Sequence, residues 1–247
     1  MNPAFPSAVA ILLIVHCLKG PLTSAAIPDS NSADTHRAFG GVQPRLSPDG
    51  QWIAVSYQGA ICRLPSAGGP LTRLSKGEGF DLGPAWSPDG KSIAFINSPN
   101  FYTGRLQWIR AEDGAALKLP APVNAQGEIY FHPDRRRLFG RFSADRRPAR
   151  IAWYNLETGA VEPVQGDWQD APPMQAWRVP LALSQDGRRI AYATHQDVPG
   201  EQGGNDGPQA DLWALPADGG APERIVRFPT RIYGLCWDAS GQGIYIV

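Results

Sequence analysis

The stretch WSPDGKSIAF, residues 86–95, has a near copy in LSPDGQWIAV, residues 46–55. Three looser versions follow: FHPDRRRLFG from Phe131, LSQDGRRIAY from Leu183 and WDASGQGIYI from Trp237. Each has one physical plan. An apolar or aromatic residue ends a strand. Proline presets φ at the second turn position, and glycine takes the left-handed φ that other residues resist. Asp and Ser can bond to nearby backbone N–H groups. The β-branched and aromatic residues that follow suit a buried strand. The turn residues are Pro48, Asp49 and Gly50; Pro88, Asp89 and Gly90; Pro133 and Asp134; Asp186 and Gly187; and Gly241. Repeat three has Arg135 where glycine belongs, which predicts a turn of another type.

A second hairpin follows in the first four copies: ICRLPSAGGPLTRL (61–74), LQWIRAEDGAALKL (106–119), IAWYNLETGAVEPV (151–164) and DLWALPADGGAPERIV (211–226). Four strands per repeat at this spacing predict propeller blades. The intervals lengthen along the chain, so later repeats carry loop insertions. The small middle residue of the Ile-Ala-Phe triplets fits crowding between neighbouring blades. The expected fold is therefore all-β, a propeller with four complete four-stranded blades and a partial fifth. The 27 glycines and 24 prolines suit many tight turns. Lys plus Arg equals Asp plus Glu, so no global field points to nucleic acid.

PAWSPDGKSIAFI followed by EDGAALKL resembles the TolB-type, or WD40-like, propeller repeat of bacterial exported proteins. PRLSPDGQWIAVSYQGAICRLPSAGGPLTRLS matches that pattern along a whole blade. The resemblance covers roughly residues 40–247. It implies either a docking ring for protein partners, as in TolB, or the front domain of an exported hydrolase. The hydrolases in question are prolyl-oligopeptidase-like and tricorn-like peptidases and some amidohydrolases. The chain stops midway through repeat five, so the propeller is expected to be incomplete at its C-terminus. Such a piece is expected to aggregate or require a neighbour.

The apolar run AVAILLIVHCL (8–18) is too short to span a bilayer. With TSAA at 23–26 it reads as a signal peptide, residues 1–26, before a polar leader, 27–40, and the propeller, 41–247. This predicts a periplasmic or extracellular protein with no integral membrane segment after cleavage. Lipid attachment at Cys17 is disfavoured by the bulky His16 before it. Cys62 and Cys236 stand at apolar strand positions, and whether they pair is open.

No catalytic motif, cofactor site or metal site is expected. There is no G-x-S-x-G elbow, no H-E-x-x-H and no glycine-rich nucleotide loop. His36, His132 and His195 are read as structural or solvated. The run RRRLFGRFSADRRPAR (135–150) holds seven arginines and one aspartate. It is either a basic patch for an acidic partner or a solvated edge that discourages aggregation. Its candidates for partner binding are Arg135, Arg136, Arg137 and Arg141, joined by the aromatics Trp168 and Trp177. Phe101 and Tyr102 could also line a binding face or fill gaps between blades. The acidic loop 195–211, with Asp197, Glu201, Asn205, Asp206 and Asp211, reads as a mobile insertion rather than a calcium site. The function expected is a non-catalytic scaffold displaying loops to an unknown protein partner. Sugar or polymer binding through the aromatic loops is a third reading. N-terminal sequencing of the exported protein should begin at Ile27; an intact Met1 on secreted material would contradict the cleavage.

Overall fold

The computed structural model describes residues 42–76, 78–101, 103–144, 148–166, 180–196 and 209–247. The predicted signal and leader lie outside them, as do Trp168, Trp177 and Tyr102. Among the described residues every regular element is a strand, and no helix is long and apolar enough to cross a membrane. The chain divides into two compact units, one reaching to Val164 and the other running Gln165–Val247.

In the first unit, β1 (Val42–Leu46), β2 (Trp52–Tyr57), β3 (Ala60–Pro65) and β4 (Thr72–Arg73) form an antiparallel sheet in chain order. It is followed by β5 (Phe80–Trp86), β6 (Ser92–Ser98), β7 (Thr103–Arg110), β8 (Asn124–Phe131), β9 (Arg137–Ser143), β10 (Arg150–Asn155) and β11 (Val161–Pro163). These seven make one continuous sheet, although the sequence places them in two blades. The join is local. Residues near Ala116 complete blade two by pairing with the end of β7 at Ile109. The chain then bulges through Pro120 and Pro122. Asn124, Ala125 and Gln126 pair with the start of β7 while also pairing with β9. One strand thus closes blade two and opens blade three.

In the second unit, β12 (Leu181–Leu183), β13 (Arg189–Gln196), β14 (Gln209–Pro216) and β15 (Glu223–Phe228) form a four-stranded sheet. β16 (Leu235–Trp237) and β17 (Ile244–Ile246) form a two-stranded one.

The repeated turn has one hydrogen-bond pattern. In the first copy Gly50 N–H donates to Ser47 O at 2.9 Å, and Ser47 N–H donates to Trp52 O at 2.7 Å. The Ser47 hydroxyl donates to Asp49 Oδ1 at 2.5 Å and accepts from Trp52 N–H at 2.9 Å. Asp49 Oδ1 accepts in turn from Gln51 N–H at 3.0 Å. The copies at Ser87 and Ser184 repeat every one of these bonds. All three serines are buried, so each hydroxyl needs both of its partners.

The third turn corrects the expectation from sequence. Arg135 adopts φ 64°, the same left-handed state as Gly50, Gly90 and Gly187, and Arg135 N–H donates to His132 O at 3.0 Å. The turn is of the same type. Asp134 Oδ1 still accepts from Arg136 N–H at 2.8 Å, and that bond helps hold a residue with a Cβ where glycine is usual. The fifth turn exchanges two roles. Asp238 takes the serine position and accepts from the Ser240 hydroxyl at 2.9 Å, while Gly241 N–H donates to Asp238 O at 3.0 Å.

The small triplet residue has a specific neighbour. Ala54 packs in one cluster with Trp86, Ala94 in one with Phe131, and Ala191 in one with Trp237. Each alanine makes room for the aromatic that precedes the following turn. The two tryptophans also bond across: Trp86 Nε1 donates to Arg45 O at 2.9 Å and Trp237 Nε1 to Ala182 O at 3.3 Å. Arg45 and Ala182 are equivalent positions, one before Leu46 and Leu183.

The first strands of three repeats share a bulge that the sequence reading missed. The register shifts within β1, β5 and β8, and Gln43, Gly83 and Gly127 have φ of 55°, 60° and 69°. Gly83 N–H donates to the Gln43 side-chain oxygen at 2.7 Å. A Cβ on Gly83 would lie 3.2 Å from Gly127 O.

Arg135→Gly should stabilise the chain by about 1 kcal/mol, because it removes the left-handed penalty and only a weak exposed ion pair. Urea unfolding checks this; a loss of stability would contradict the strain reading.

Candidate functional site

The turn end of the first unit holds the arginines singled out from sequence. Arg135 Nη1 lies 3.6 Å from Asp89 Oδ2, and Arg136 Nε lies 3.5 Å from Glu157 Oε1. Arg137 Nε donates to Asp134 Oδ2 at 2.9 Å, and its guanidinium lies over Trp153, 4.8 Å from the ring centroid. Each therefore meets a carboxylate, all three from outside the basic run. Exposed pairs of this kind contribute about 0–1 kcal/mol each. Arg141 does not join them. Alternation would point it outward, but it is 2% exposed, with Gln126 and Ile151 as its cross-strand neighbours. Desolvation lowers its guanidinium to about 10, so it stays charged at neutral pH.

His132 occupies the serine position of the third turn. Its Nδ1 lies 3.1 Å from Asp134 N and 2.8 Å from Asp134 Oδ2, and its ring meets Trp153 edge-on. In the second unit, His195 Nε2 lies 3.0 Å from Ile232 O and 3.1 Å from Ile232 N. It ties the end of β13 to the segment before β16. Burial lowers its pKa. Asp211 is 2% exposed and receives two bonds from Arg227, at 2.7 and 2.8 Å, which lower its carboxyl. It is an ion-pair member inside β14; Asp197, Glu201, Asn205 and Asp206 lie outside the described residues. Among the described residues no group of three His, Cys, Asp or Glu side chains is placed to hold a metal. Cys62 and Cys236 are free thiols. Cys62 is buried, and desolvation raises its pKa to about 11.

The opposite end of the first unit carries an arrangement that the sequence did not reveal. Asp81 on β5 pairs across with Asn97 on β6, Asn97 with Arg105 on β7, Arg105 with Asn124 on β8, and Asn124 with Ser143 on β9. Five polar residues thus stand in one row, about 4.8 Å apart from strand to strand. The row begins in a buried network. The Ser75 hydroxyl donates to Asp81 Oδ2, the Asn97 amide donates to Asp81 Oδ1 at 2.6 Å, and Ser56 donates to Asp81 O at 2.5 Å. It continues into an open cleft of about 810 Å³ lined by Glu78, Asn97, Pro99, Thr103, Arg105 and Asn124, with Gly79 and Gly104. Arg105 and Asn124 are exposed. Phe101, in the loop between β6 and β7, has φ 71° and meets Phe80 edge-on at 5.5 Å. A bulky residue in that conformation is a strained feature of the kind found at binding sites.

No protein-family model matches the chain, and no curated protein matches it. Solved structures do. TolB from Acinetobacter baumannii matches with a TM-score of 0.53 at 20% identity, over 74% of this chain and 43% of that one. A nidogen/laminin complex matches with a TM-score of 0.55 at 13% identity, over 85% and 69%. Oligogalacturonate lyase in complex with manganese matches with 0.53 at 14%, over 82% and 57%. The chain spans less than half the length of that TolB and little more than half of that lyase. These likenesses show the fold: the sheets are blades of a TolB-like β-propeller.

The turn carboxylates set a pH dependence. Asp89 and Asp186 lie below their ordinary 3.8, chiefly because the Ser87 and Ser184 hydroxyls donate to them. The unfolded chain therefore takes up protons first as pH falls. The stabilisation is complete above about pH 4 to 5 and is lost as pH drops through the depressed values. Urea unfolding from about pH 6 to about pH 3 should show this slope, and Ser87→Ala should flatten it; an unchanged slope would contradict the assignment.

Proposed function

We propose that the chain is an exported, non-catalytic propeller module that displays loops to a protein partner. The supporting observation is where the repeated polar residues spend their hydrogen bonds. The serines and carboxylates at 47, 49, 87, 89, 184 and 186 are bonded within their own turns. They fix shape, and recognition falls to the loops between them. The likeness to TolB supports the same reading. Exposed apolar residues are available for contact: Leu46, Phe101, Tyr233 and Tyr245. Export through a signal ending at Ala26, and a periplasmic or extracellular location, belong to this proposal. The basic run with Trp168 and Trp177 is a further candidate contact surface.

The second reading is the front propeller of an exported hydrolase, a peptidase or an amidohydrolase whose catalytic residues lie beyond residue 247. It rests on the likeness of the repeats, PAWSPDGKSIAFI above all, to the front propellers of such hydrolases. One experiment separates the two. The tagged chain is cross-linked in intact cells of its source and recovered from the envelope and the medium. The same preparation is assayed on a panel of peptide and amide substrates. The scaffold reading predicts one protein recovered near equal stoichiometry, lost on Tyr233→Ala with Tyr245→Ala, and no turnover. Turnover that co-purifies with the chain would overturn it in favour of the hydrolase.

A further inference from the structure

We propose that the polar row at the end of blade two is a binding site for an extended oligosaccharide. The row lies on the face of a sheet, not on an edge, so a peptide could not add to it as a strand. Beside the apolar surface of Pro99, the lining carries hydrogen-bonding groups of both senses: the Arg105 guanidinium donates, the Glu78 carboxylate accepts, and the Asn124 amide does both. None of these three side chains has a partner within the described residues. Asn97, by contrast, is held rigidly by Asp81 and by Glu78 O, the latter at 2.8 Å. A fixed amide beside three unengaged polar groups suits a ligand whose surface is a series of hydroxyls.

The spacing supports a chain rather than a single small molecule. Asn97, Arg105 and Asn124 repeat at the inter-strand distance of about 4.8 Å. That is close to the advance of one sugar unit in an extended glycan. The strained Phe101 stands in the loop between Pro99 and Thr103, both of which line the cleft. Its ring can pack against the apolar face of a sugar. Arg105 can take a hydroxyl pair or a uronate carboxylate equally. The shared chemistry is a polyhydroxylated chain, and the test separates the neutral from the acidic kind. This inference shares only Phe101 with the partner-docking reading, and its failure leaves that reading standing.

The full chain is screened on arrays of neutral and uronic-acid oligosaccharides and on an array of extended peptides. The best binder is then titrated by calorimetry. Binding by one glycan class is expected, weakened at least about tenfold by Arg105→Ala and by Asn124→Ala. Both residues are exposed, so the variants should fold, which circular dichroism checks. Lys91→Ala, an exposed turn residue at the other end of the sheet, should bind as the parent does. Loss restored by Arg105→Lys identifies an acidic sugar; loss that it does not restore identifies hydroxyl pairing by the planar fork. No glycan binding at millimolar concentration, binding indifferent to both substitutions, or binding of peptides alone overturns the proposal.

Discussion

The bond on which the structure depends is the one between a buried serine hydroxyl and the aspartate two residues later. A tight reversal with a left-handed residue uses the serine carbonyl for the turn itself, through Gly50 N–H and its equivalents. The next N–H that would pair with it, at Trp52, Ser92 or Arg189, needs another acceptor. The hydroxyl supplies it. That leaves the hydroxyl proton to be placed, and the aspartate takes it. A buried N–H without a partner costs about 1–3 kcal/mol, so the arrangement is conditional on both side chains. Register then follows. With the turn fixed, every side chain of the following strand has a set face, and a slip of one residue would exchange Ile93 and Ile190 with the small Ala94 and Ala191 of the opposite, equally buried face.

The register in turn decides how sheets meet. Ala54, Ala94 and Ala191 fall where an aromatic from the following repeat must fit. A larger residue there would overpack the contact. Where that aromatic is tryptophan, its indole N–H reaches a carbonyl of the preceding first strand, which joins burial to a directional bond. The third repeat has Phe139 at the alanine position and phenylalanine in place of tryptophan. It solves the junction differently, by running blade two into blade three through β8. Two arginines of that repeat help hold it together: Arg137 covers Trp153, and Arg141 is buried within the sheet.

What could be read from sequence was what local chemistry dictates. Pro48 and Pro88 restrict φ, Gly50 and Gly90 permit the left-handed state, and the strands after them are apolar, so hairpins and blades were legible. Arg135 misled because a missing glycine was taken to mean a turn of another type, whereas the Asp134 bond sustains the same geometry at some strain. The merged sheet was hidden because Pro120 and Pro122 look like a linker, and pairing of β7 with β8 is non-local. The bulges at Gln43 and Gly83 had a faint signal, the proline that follows each as QP and GP, whereas Gly127 is followed by Glu128 and had none. The polar row had none. Asp81, Asn97, Arg105, Asn124 and Ser143 are unremarkable singly, and only the register of five strands brings them together.

The most direct measurement of the central claim is a double-mutant cycle in urea unfolding with Ser87→Ala, Asp89→Ala and the pair. If the hydroxyl and carboxylate form one conditional unit, the second substitution should cost far less once the first is made, with a coupling of about 1 kcal/mol or more. Additive losses, agreeing within about 0.3–0.5 kcal/mol, would mean the two side chains act separately and that something else sets the register.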